Sequence, residues 1–498
     1  MATTIKGKSV KFTNDIIWVG LAQLFNSIIL GIVVLPALTK SYGPETYGIW
    51  VQVNTAVFLL SPLISMQLGM AAVRFMAGEQ DRVRRRRALG TMLSAIVVLS
   101  FLVLVVANLL ASQLSNFLFA SPNYIGIVRL TSLWIIVNAL FNFFLMYLLA
   151  LNKIKLLSIR KIVYSLMAMT LVIALAANGI NLKWLITAMI TLQVAFVLFF
   201  YIMIVFELGF PIPNVTGLSH YLAFSLPQVP GGIMLWIISS SDRYFITHFL
   251  GLAQTGIYSA SSTLANLTIL FYAPISVVLY PLVSKLWDEN RRSEVQNYLE
   301  YSTKLFITLA IPASVGLAIL SQPLLKLLTT TEFLAGEYLV LLLAIGSIFL
   351  GLYQININIV LLTKKTKFLP LITAAAAMTS LALNIVLIPY LGIAGAAISN
   401  IASYFVLAAI VTLWAKITIN YRFDLKFLFK VILSTMIMAI CLYFMKTHGV
   451  WGLVLAVIVG AVLFVAIFLL LRPFSLQDKQ LIGKIISSYL PGLGNKEN

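Results

Sequence analysis

The chain has 498 residues, of which 61% are hydrophobic and 10% charged, and its mean hydropathy is +1.01. Soluble domains carry roughly 25% charged residues to keep a wet surface, so this composition excludes a soluble globular enzyme and makes lipid the main solvent. The formal net charge of +19 fits basic loops held on one side of a bilayer and drawn to anionic lipid; no basic cluster accompanies a foldable soluble domain, so nucleic acid is not indicated.

A membrane-crossing helix needs about 20 apolar residues. About fourteen stretches qualify, at approximately 16–38, 47–73, 88–111, 124–150, 159–177, 182–205, 219–248, 256–280, 299–320, 335–362, 368–389, 393–415, 427–445 and 451–471. The first is too long for a signal-peptide core and lacks a small-x-small cleavage site, so it reads as a retained helix. The connection from Leu208 to Leu218 holds Gly209, Pro211, Pro213 and Gly217, which marks a linker. The expected organisation is a lobe at 1–207, a cytoplasmic linker at 208–218, a second lobe at 219–415, two extra helices within 416–471 and a tail at 472–498. In that tail Ile482, Ile485, Ile486 and Tyr489 share one helical face, which suits a helix lying on the inner leaflet.

The basic residues set the orientation. With the N-terminus inside, only Lys40, Lys183, Lys326 and Lys446 fall in outer loops, and Arg129 and Arg243 lie within spans. The remaining 28 of the 34 Lys and Arg are cytoplasmic, among them Arg82, the run Arg84 to Arg87, and Lys364, Lys365 and Lys367. Tryptophans agree: Trp18, Trp287 and Trp414 stand near the inner interface, and Trp50, Trp184 and Trp451 near the outer one. This places a multi-pass protein in the plasma (inner) membrane with both termini in the cytoplasm.

Shifting the chain by 208 residues overlays the first six spans on the next six. Gly43-x4-Gly48 followed by Ile49-Trp50 matches Gly251-x4-Gly256 followed by Ile257-Tyr258. Six crossings is an even number, so both lobes run the same way and are parallel repeats about an axis along the membrane normal. Two such lobes usually frame a central cavity and rock about it, which points to transport.

Polar groups inside the spans are the candidate site. Asp242 is the only acid well inside a span, with Arg243 beside it; a charge at the helix centre costs about 2.5 to 3.5 kcal/mol on insertion scales, so a cavity, a partner or a substrate must offset it. The same span carries Pro227, Pro230, Gly231 and Gly232, a candidate hinge where the helix bends or unwinds. Amides are spread over both lobes: Gln23, Asn26, Gln52, Asn54, Asn138, Asn142, Asn266, Gln354, Asn356 and Asn358. Singly, such amides join helices at about 0.6 kcal/mol each; as a set they also suit a neutral, hydroxyl-rich ligand. Arg74 and Arg129 add charge near the inner and outer ends, which would attract a phosphate. The single Cys441 and the scattered His220, His248 and His448 lack ligand spacing, so no metal site is expected.

The order Leu35-Pro36, Tyr42-Gly43-Pro44-Glu45-Thr46-Tyr47-Gly48-Ile49-Trp50, Leu68-Gly69-Met70 and Arg74-Phe75-Met76-Ala77 resembles the opening of O-antigen flippases. These are polysaccharide-biosynthesis proteins of the multidrug/oligosaccharidyl-lipid/polysaccharide (MOP) exporter superfamily. Further matches are Ser241-Asp242-Arg243, Gly256-x-Tyr258-x-Ala260, and Asn384 through Ile388-Pro389 to Gly392-x-x-Gly395-Ala396-Ala397. The resemblance implies an all-α, MATE-like fold of about fourteen transmembrane helices, with Tyr258 among the site residues. It also implies translocation of a polyprenyl-(pyro)phosphate-linked oligosaccharide to the outer leaflet by alternating access, with membrane lipids and other glycan-assembly membrane proteins as partners and no cofactor.

Drug-exporting relatives typically carry a carboxylate deep in the first span, whereas this chain has only Asp15 at its mouth. Coupling to a proton or sodium gradient therefore has no obvious carboxylate in the first lobe. The alternatives are a cation-coupled multidrug or small-metabolite antiporter, and a membrane glycan enzyme. The enzyme would need large outer loops bearing acids or His, and the outer loops here are short and poor in both. The repeat makes a direct prediction: cysteines engineered at positions 84 and 365 react with an impermeant thiol reagent from the same, cytoplasmic, face. Labelling from opposite faces removes the duplication.

Overall fold

The structure is a computed structural model and describes residues 33–151, 153–213, 217–445 and 449–473. Among these residues there is no strand, and 13 helices are long and apolar enough to cross a membrane. They overlap the second to fourteenth expected spans, with ends that differ by several residues; the first of them also takes in the end of the first expected span, from Leu35, and kinks at Gly43. Most of the first, with Asp15, Gln23 and Asn26, and the amphipathic tail beyond residue 473 lie outside the described residues.

The first lobe consists of α1 (Leu35–Ile64), α2 (Leu68–Met76), α3 (Arg82–Leu109), α4 (Ala111–Phe119), α5 (Ile125–Ala150), α6 (Ile154–Ala177) and α7 (Leu182–Leu208). The second consists of α8 (Leu218–Ser225), α9 (Val229–Ser240), α10 (Asp242–Leu250), α11 (Leu252–Ala265), α12 (Ala273–Asp288), α13 (Arg292–Ile319), α14 (Ser321–Leu328), α15 (Leu339–Leu362), α16 (Leu369–Leu391) and α17 (Ile393–Ile419). The extra helices are α18 (Leu425–Phe444) and α19 (Gly449–Leu470). They stack on the second lobe, α18 against α13 and α19 against α18. The approach to α18 is clamped to α13: Tyr421 Oη donates to Thr303 Oγ1 at 2.8 Å, the Arg422 N–H to Glu300 Oε1 at 2.8 Å, and Lys304 Nζ lies 3.2 Å from Asp424 Oδ2.

Three expected spans are broken rather than continuous. The span at 47–73 stops at Ile64, turns through Met66 and Gln67, which are both left-handed, and resumes as α2. The span at 219–248 is three helices, with a 3-10 turn at Leu226–Gln228 around Pro227 and a second interruption at Ser241. Proline removes one helical hydrogen bond, and the backbone relieves it by tightening into 3-10 form. The span at 256–280 contains a 3-10 segment at Asn266–Tyr272 and continues to Asp288.

The internal repeat is visible in the backbone. Gly43 (φ 72°, ψ 179°) and Gly251 (φ 92°, ψ 170°) occupy the same glycine-only region at equivalent positions. The pair α3–α4 recurs as α13–α14, each with one break between the two helices, at Leu110 and at Leu320. Where α1 crosses α11, the contact is reciprocal: a β-carbon on Gly48 would fall inside the Leu252 carbonyl, and one on Gly256 inside the Pro44 carbonyl. The 208-residue shift carries Pro44 onto Leu252 and Gly48 onto Gly256, so a pseudo-two-fold axis passes through this crossing. Small residues let two backbones touch, replacing side-chain packing with backbone contacts that lipid cannot supply.

Burial divides along the same line. One core cluster joins first-lobe residues such as Val53, Phe143 and Ile186 to Tyr258, Ala260, Phe333, Ile388 and Ala396 of the second lobe. A second cluster holds Ile238, Val283, Phe306, Ile359 and Val411 with Phe427 and Phe464 of the extra helices. The lobes thus share a core at the end containing Gly48 and Gly256, called the sealed end below. Toward the opposite, basic end their cores separate, apart from α8, which packs on α2.

Replacing Gly48 or Gly256 with Leu is expected to push the lobes apart at the sealed end. Ser259 follows Gly256 by three residues on α11 and is buried, so a Ser259→Cys reporter in a Cys441→Ser background checks this. Thiol labelling from the sealed side should be several times faster in either glycine variant than in the parent; equal rates would show that the crossing is not the seal.

Candidate functional site

Below the seal, between the lobes, lies a cavity of ≈ 350 Å³. Its walls are the far half of α1 (Phe58, Leu59, Pro62, Leu63), the kinked α9 (Val229, Gly232, Ile233, Trp236) and, from the second lobe's core, Leu350 and Tyr404. Gln67, Ser239 and Tyr404 supply its polar groups. A smaller cavity of ≈ 190 Å³ shares Pro62 and Gln67 with it and adds Ser61, Ser65 and Asn142. The helix break at Met66–Gln67 is what turns Gln67 into this space, since an unbroken α1 would carry it elsewhere.

The roof is a polar knot. Tyr258 Oη donates to Asp242 Oδ2 at 2.5 Å, and the Arg243 backbone N–H donates to Asp242 Oδ1 at 2.9 Å. Arg243 Nη1 sits 3.3 Å from the same carboxylate oxygen and donates to the Ser239 carbonyl at 2.9 Å. Gln52 of the first lobe closes the knot across the interface: its Nε2 donates to the Arg243 carbonyl at 3.1 Å and to Thr247 Oγ1 at 2.5 Å. The Asp242 side chain is 6% exposed and that of Arg243 15%. Such a pair lowers the cost of an isolated intramembrane charge, because both Asp242 oxygens and Arg243 Nη1 have partners.

The sequence candidates are therefore brought together only in part. Asp242, Arg243 and Tyr258 form one unit, but Asp242 and Tyr258 are buried and face each other rather than the cavity. Pro230 and Gly231 lie on the kinked segment whose neighbours Val229 and Gly232 line the cavity, and Pro227 sits in the 3-10 turn. Asn142 reaches the smaller cavity while donating to the Asn138 carbonyl. Asn138 belongs to a chain of helix-joining bonds inside the first lobe: it donates to Ser61 Oγ at 3.0 Å and accepts from Gln193 Nε2 at 2.9 Å, and Gln193 accepts from Trp134 Nε1 at 2.8 Å. Asn54 donates to the Trp50 carbonyl of its own helix. Asn266 donates to Ser262 Oγ at 3.4 Å. Asn358 is buried and donates to the Gln354 and Ile355 carbonyls, while the Gln354 carbonyl also accepts from Tyr272 Oη. Arg74, at the end of α2, and Arg129, in the second turn of α5, are exposed and line neither cavity.

Gln67, Trp236, Ser239 and Tyr404 are cavity residues that sequence reasoning passed over. Trp236 had a usable signal, being an aromatic donor in a glycine- and proline-rich helix; its Nε1 donates to the Thr55 carbonyl across the lobe interface at 3.2 Å.

Two parallel-repeat lobes sealed along a glycine crossing and enclosing a cavity define a multi-pass membrane protein with the fold of the MOP superfamily. That fold is shared with the lipid II flippase MurJ in an inward closed conformation, at TM-score 0.77 and 15% identity over 90% of this chain and 97% of that one. It is also shared with an inward-facing multidrug resistance MATE family transporter, at TM-score 0.65 and 11% identity over 80% and 94%. The profile of the polysaccharide biosynthesis protein family matches residues 38–337, more than half of the chain, and the chain belongs to that family. The probable low-salt glycan biosynthesis flippase Agl15 of Haloferax volcanii is 23% identical over 264 residues, 52% of this chain. The match spans about half the length of that relative (55%).

The knot makes graded predictions for melting of the purified protein in detergent. Tyr258→Phe leaves one acceptor site of a buried carboxylate unfilled and should cost about 1–3 kcal/mol. Asp242→Ala strands the Arg243 charge and should cost about 3–5 kcal/mol. Removing both charges together should cost less than the sum of the single changes; an additive result would show that the two do not act as a pair.

Proposed function

We propose that this chain is a flippase that carries a polyprenyl-(pyro)phosphate-linked oligosaccharide, such as an O-antigen unit, from the inner to the outer leaflet of the plasma membrane by alternating access. The observation that carries this reading is the cavity between the lobes, which are joined at one end by the Gly48–Gly256 crossing and at the other by α8 packed on α2. With the basic loops in the cytoplasm and both termini on that side, the sealed end faces outward. The family assignment and the glycan-flippase relative support the same cargo class.

The parts suit an amphiphile whose tail stays in the bilayer. Gln67, Ser65 and Asn142 offer neutral polar groups for sugar hydroxyls. The apolar wall of Phe58, Leu63, Ile233 and Trp236 faces whatever part of the head group is least polar. Movement is expected at the 3-10 turn Leu226–Gln228, where Pro227 has already removed helical bonds. Rocking about the glycine crossing would then exchange the closed end.

Cation-coupled antiport of a drug or small metabolite uses the same architecture. Among the described residues no Asp or Glu lines either cavity, and Asp242 is spent on Tyr258 and Arg243. That arrangement favours the glycan-lipid cargo.

Mass spectrometry of lipid-linked sugars tests the reading. Loss of the protein should cause a polyprenyl-linked oligosaccharide to accumulate on the inner leaflet. Gly232→Leu, which fills the cavity toward Gln67, should reproduce the accumulation while the protein is still made and inserted. Unchanged lipid-linked sugars, together with sensitivity to amphiphilic cations, would replace the flippase by the antiporter.

A further inference from the structure

The run Arg82, Arg84 to Arg87 is explained at the level of sequence by retention of positive charge on the cytoplasmic side. That rule says nothing about where the guanidinium groups point, and the structure sorts them. Arg82 is exposed, and Arg86 Nε is turned away to the Phe210 carbonyl. Arg84, Arg85 and Arg87 instead line a cavity of ≈ 240 Å³ at the junction of α2, α3 and α8. This volume is more than ten times the ~10–15 Å³ that one water requires. Its other walls include Phe75, Thr91 and Tyr221, and among the described residues Glu79 is its only acid.

The charges in this cavity are only partly matched internally. Arg84 lies 3.5 Å from Asp81 and 3.9 Å from Glu79, both loose and solvent-exposed pairs. Arg85 Nε is buried with no hydrogen-bond acceptor among the described residues. The nearby hydroxyl of Tyr147 is likewise buried without a partner. Glu207, the acid on that side, is already held by Lys153 through contacts of 2.9 and 3.1 Å. A buried guanidinium N–H without an acceptor is expensive, and a multivalent oxyanion is the ligand that best matches a planar fork of donors.

We propose that this cavity binds the phosphate of a lipid head group, as a site separate from the central cavity. Resting on the flippase reading, the cargo's (pyro)phosphate docks here first; the phosphodiester of an anionic bilayer lipid has the same chemistry and is the other source. The site straddles the lobes, since the arginines belong to the first and Tyr221 to the second. Ring packing of Phe75 against Tyr221 and Phe224, with centroids 5.7 and 5.5 Å apart, holds α2 to α8 beside it. An anion seated here therefore sits at the joint that closes the basic end.

The test uses the purified full-length protein in phosphatidylcholine nanodiscs, with inorganic pyrophosphate as the probe and thermal unfolding as the readout. Pyrophosphate should raise the melting temperature. The half-saturating concentration should increase about tenfold or more in Arg85→Gln and in Arg87→Gln, and stay unchanged in Arg82→Gln. Arg87 is exposed, so its variant remains informative should Arg85→Gln fold poorly. Glu79→Gln should shift the midpoint the other way. No stabilisation, or equal stabilisation in the Arg85 and Arg87 variants, overturns the site. If nanodiscs containing phosphatidylglycerol abolish the pyrophosphate response of the parent, the site stands with bilayer lipid as its source; a response that persists assigns it to a diphosphate. Accumulation of lipid-linked sugars on deletion is measured independently, so a failed site leaves the flippase reading intact and the converse also holds.

Discussion

The contact of Gly48 with Gly256 constrains everything else in this protein. Lipid is as apolar as a leucine side chain, so burying apolar surface gives helices in a bilayer little reason to associate; close packing and hydrogen bonds must do it. Two backbones brought into contact at a reciprocal crossing provide such packing, and only glycine leaves room for it. Because the crossing lies on the pseudo-two-fold axis, it fixes the lobes at one end and leaves their far halves free to diverge. The cavity, the separate core of the second lobe and the kink in its first helix follow from that asymmetry.

The ion pair beneath the crossing reinforces it by a different route. Asp242 and Arg243 are adjacent, which on an ideal helix would point them about 100° apart. The interruption at Ser241 makes Asp242 the first residue of a new helix. The carboxylate can then accept from the Arg243 N–H as well as approach its guanidinium. Gln52 ties this unit to the first lobe through the Arg243 carbonyl, so a charge cluster that would be costly alone becomes part of the lobe interface. A charged pair whose sequence calls for a cavity, a partner or a substrate has, in this conformation, partners that fasten the lobes.

Much of the fold was legible because the bilayer imposes a length on each helix and a charge bias on each loop. Every described span overlaps one that hydropathy marks, and the 208-residue repeat reappears as matched backbone angles at Gly43 and Gly251. The breaks were less legible. Pro227 signals one, but the left-handed pair Met66–Gln67 carries no glycine and depends on tertiary packing. The site was the least legible part. Hydropathy marks an amide as polar without saying which face it occupies, and Asn138, Asn54 and Asn358 all turn to neighbouring carbonyls or side chains of their own lobe. The cavity's own polar residues, Gln67 and Ser239, are ordinary in sequence and distinguished only by the lobe interface.

On the proposed reading, polarity is distributed over the three cavities in a way that suits an amphiphile with three chemically different parts. The basic end presents guanidinium groups, the smaller cavity neutral hydroxyls and amides, and the larger cavity aromatic and aliphatic walls. A drug cation would meet arginines at the entrance and no carboxylate in either cavity among the described residues, so the electrostatic order runs against it. A phosphate-linked sugar would meet opposite charge at the mouth and hydrogen-bonding groups further in, with its hydrocarbon tail never leaving lipid. On the proposed reading, placing the strongest charge at the mouth rather than at the centre would have a kinetic consequence: long-range attraction would act where the cargo is recruited, while the weaker, neutral contacts deeper in would let it leave.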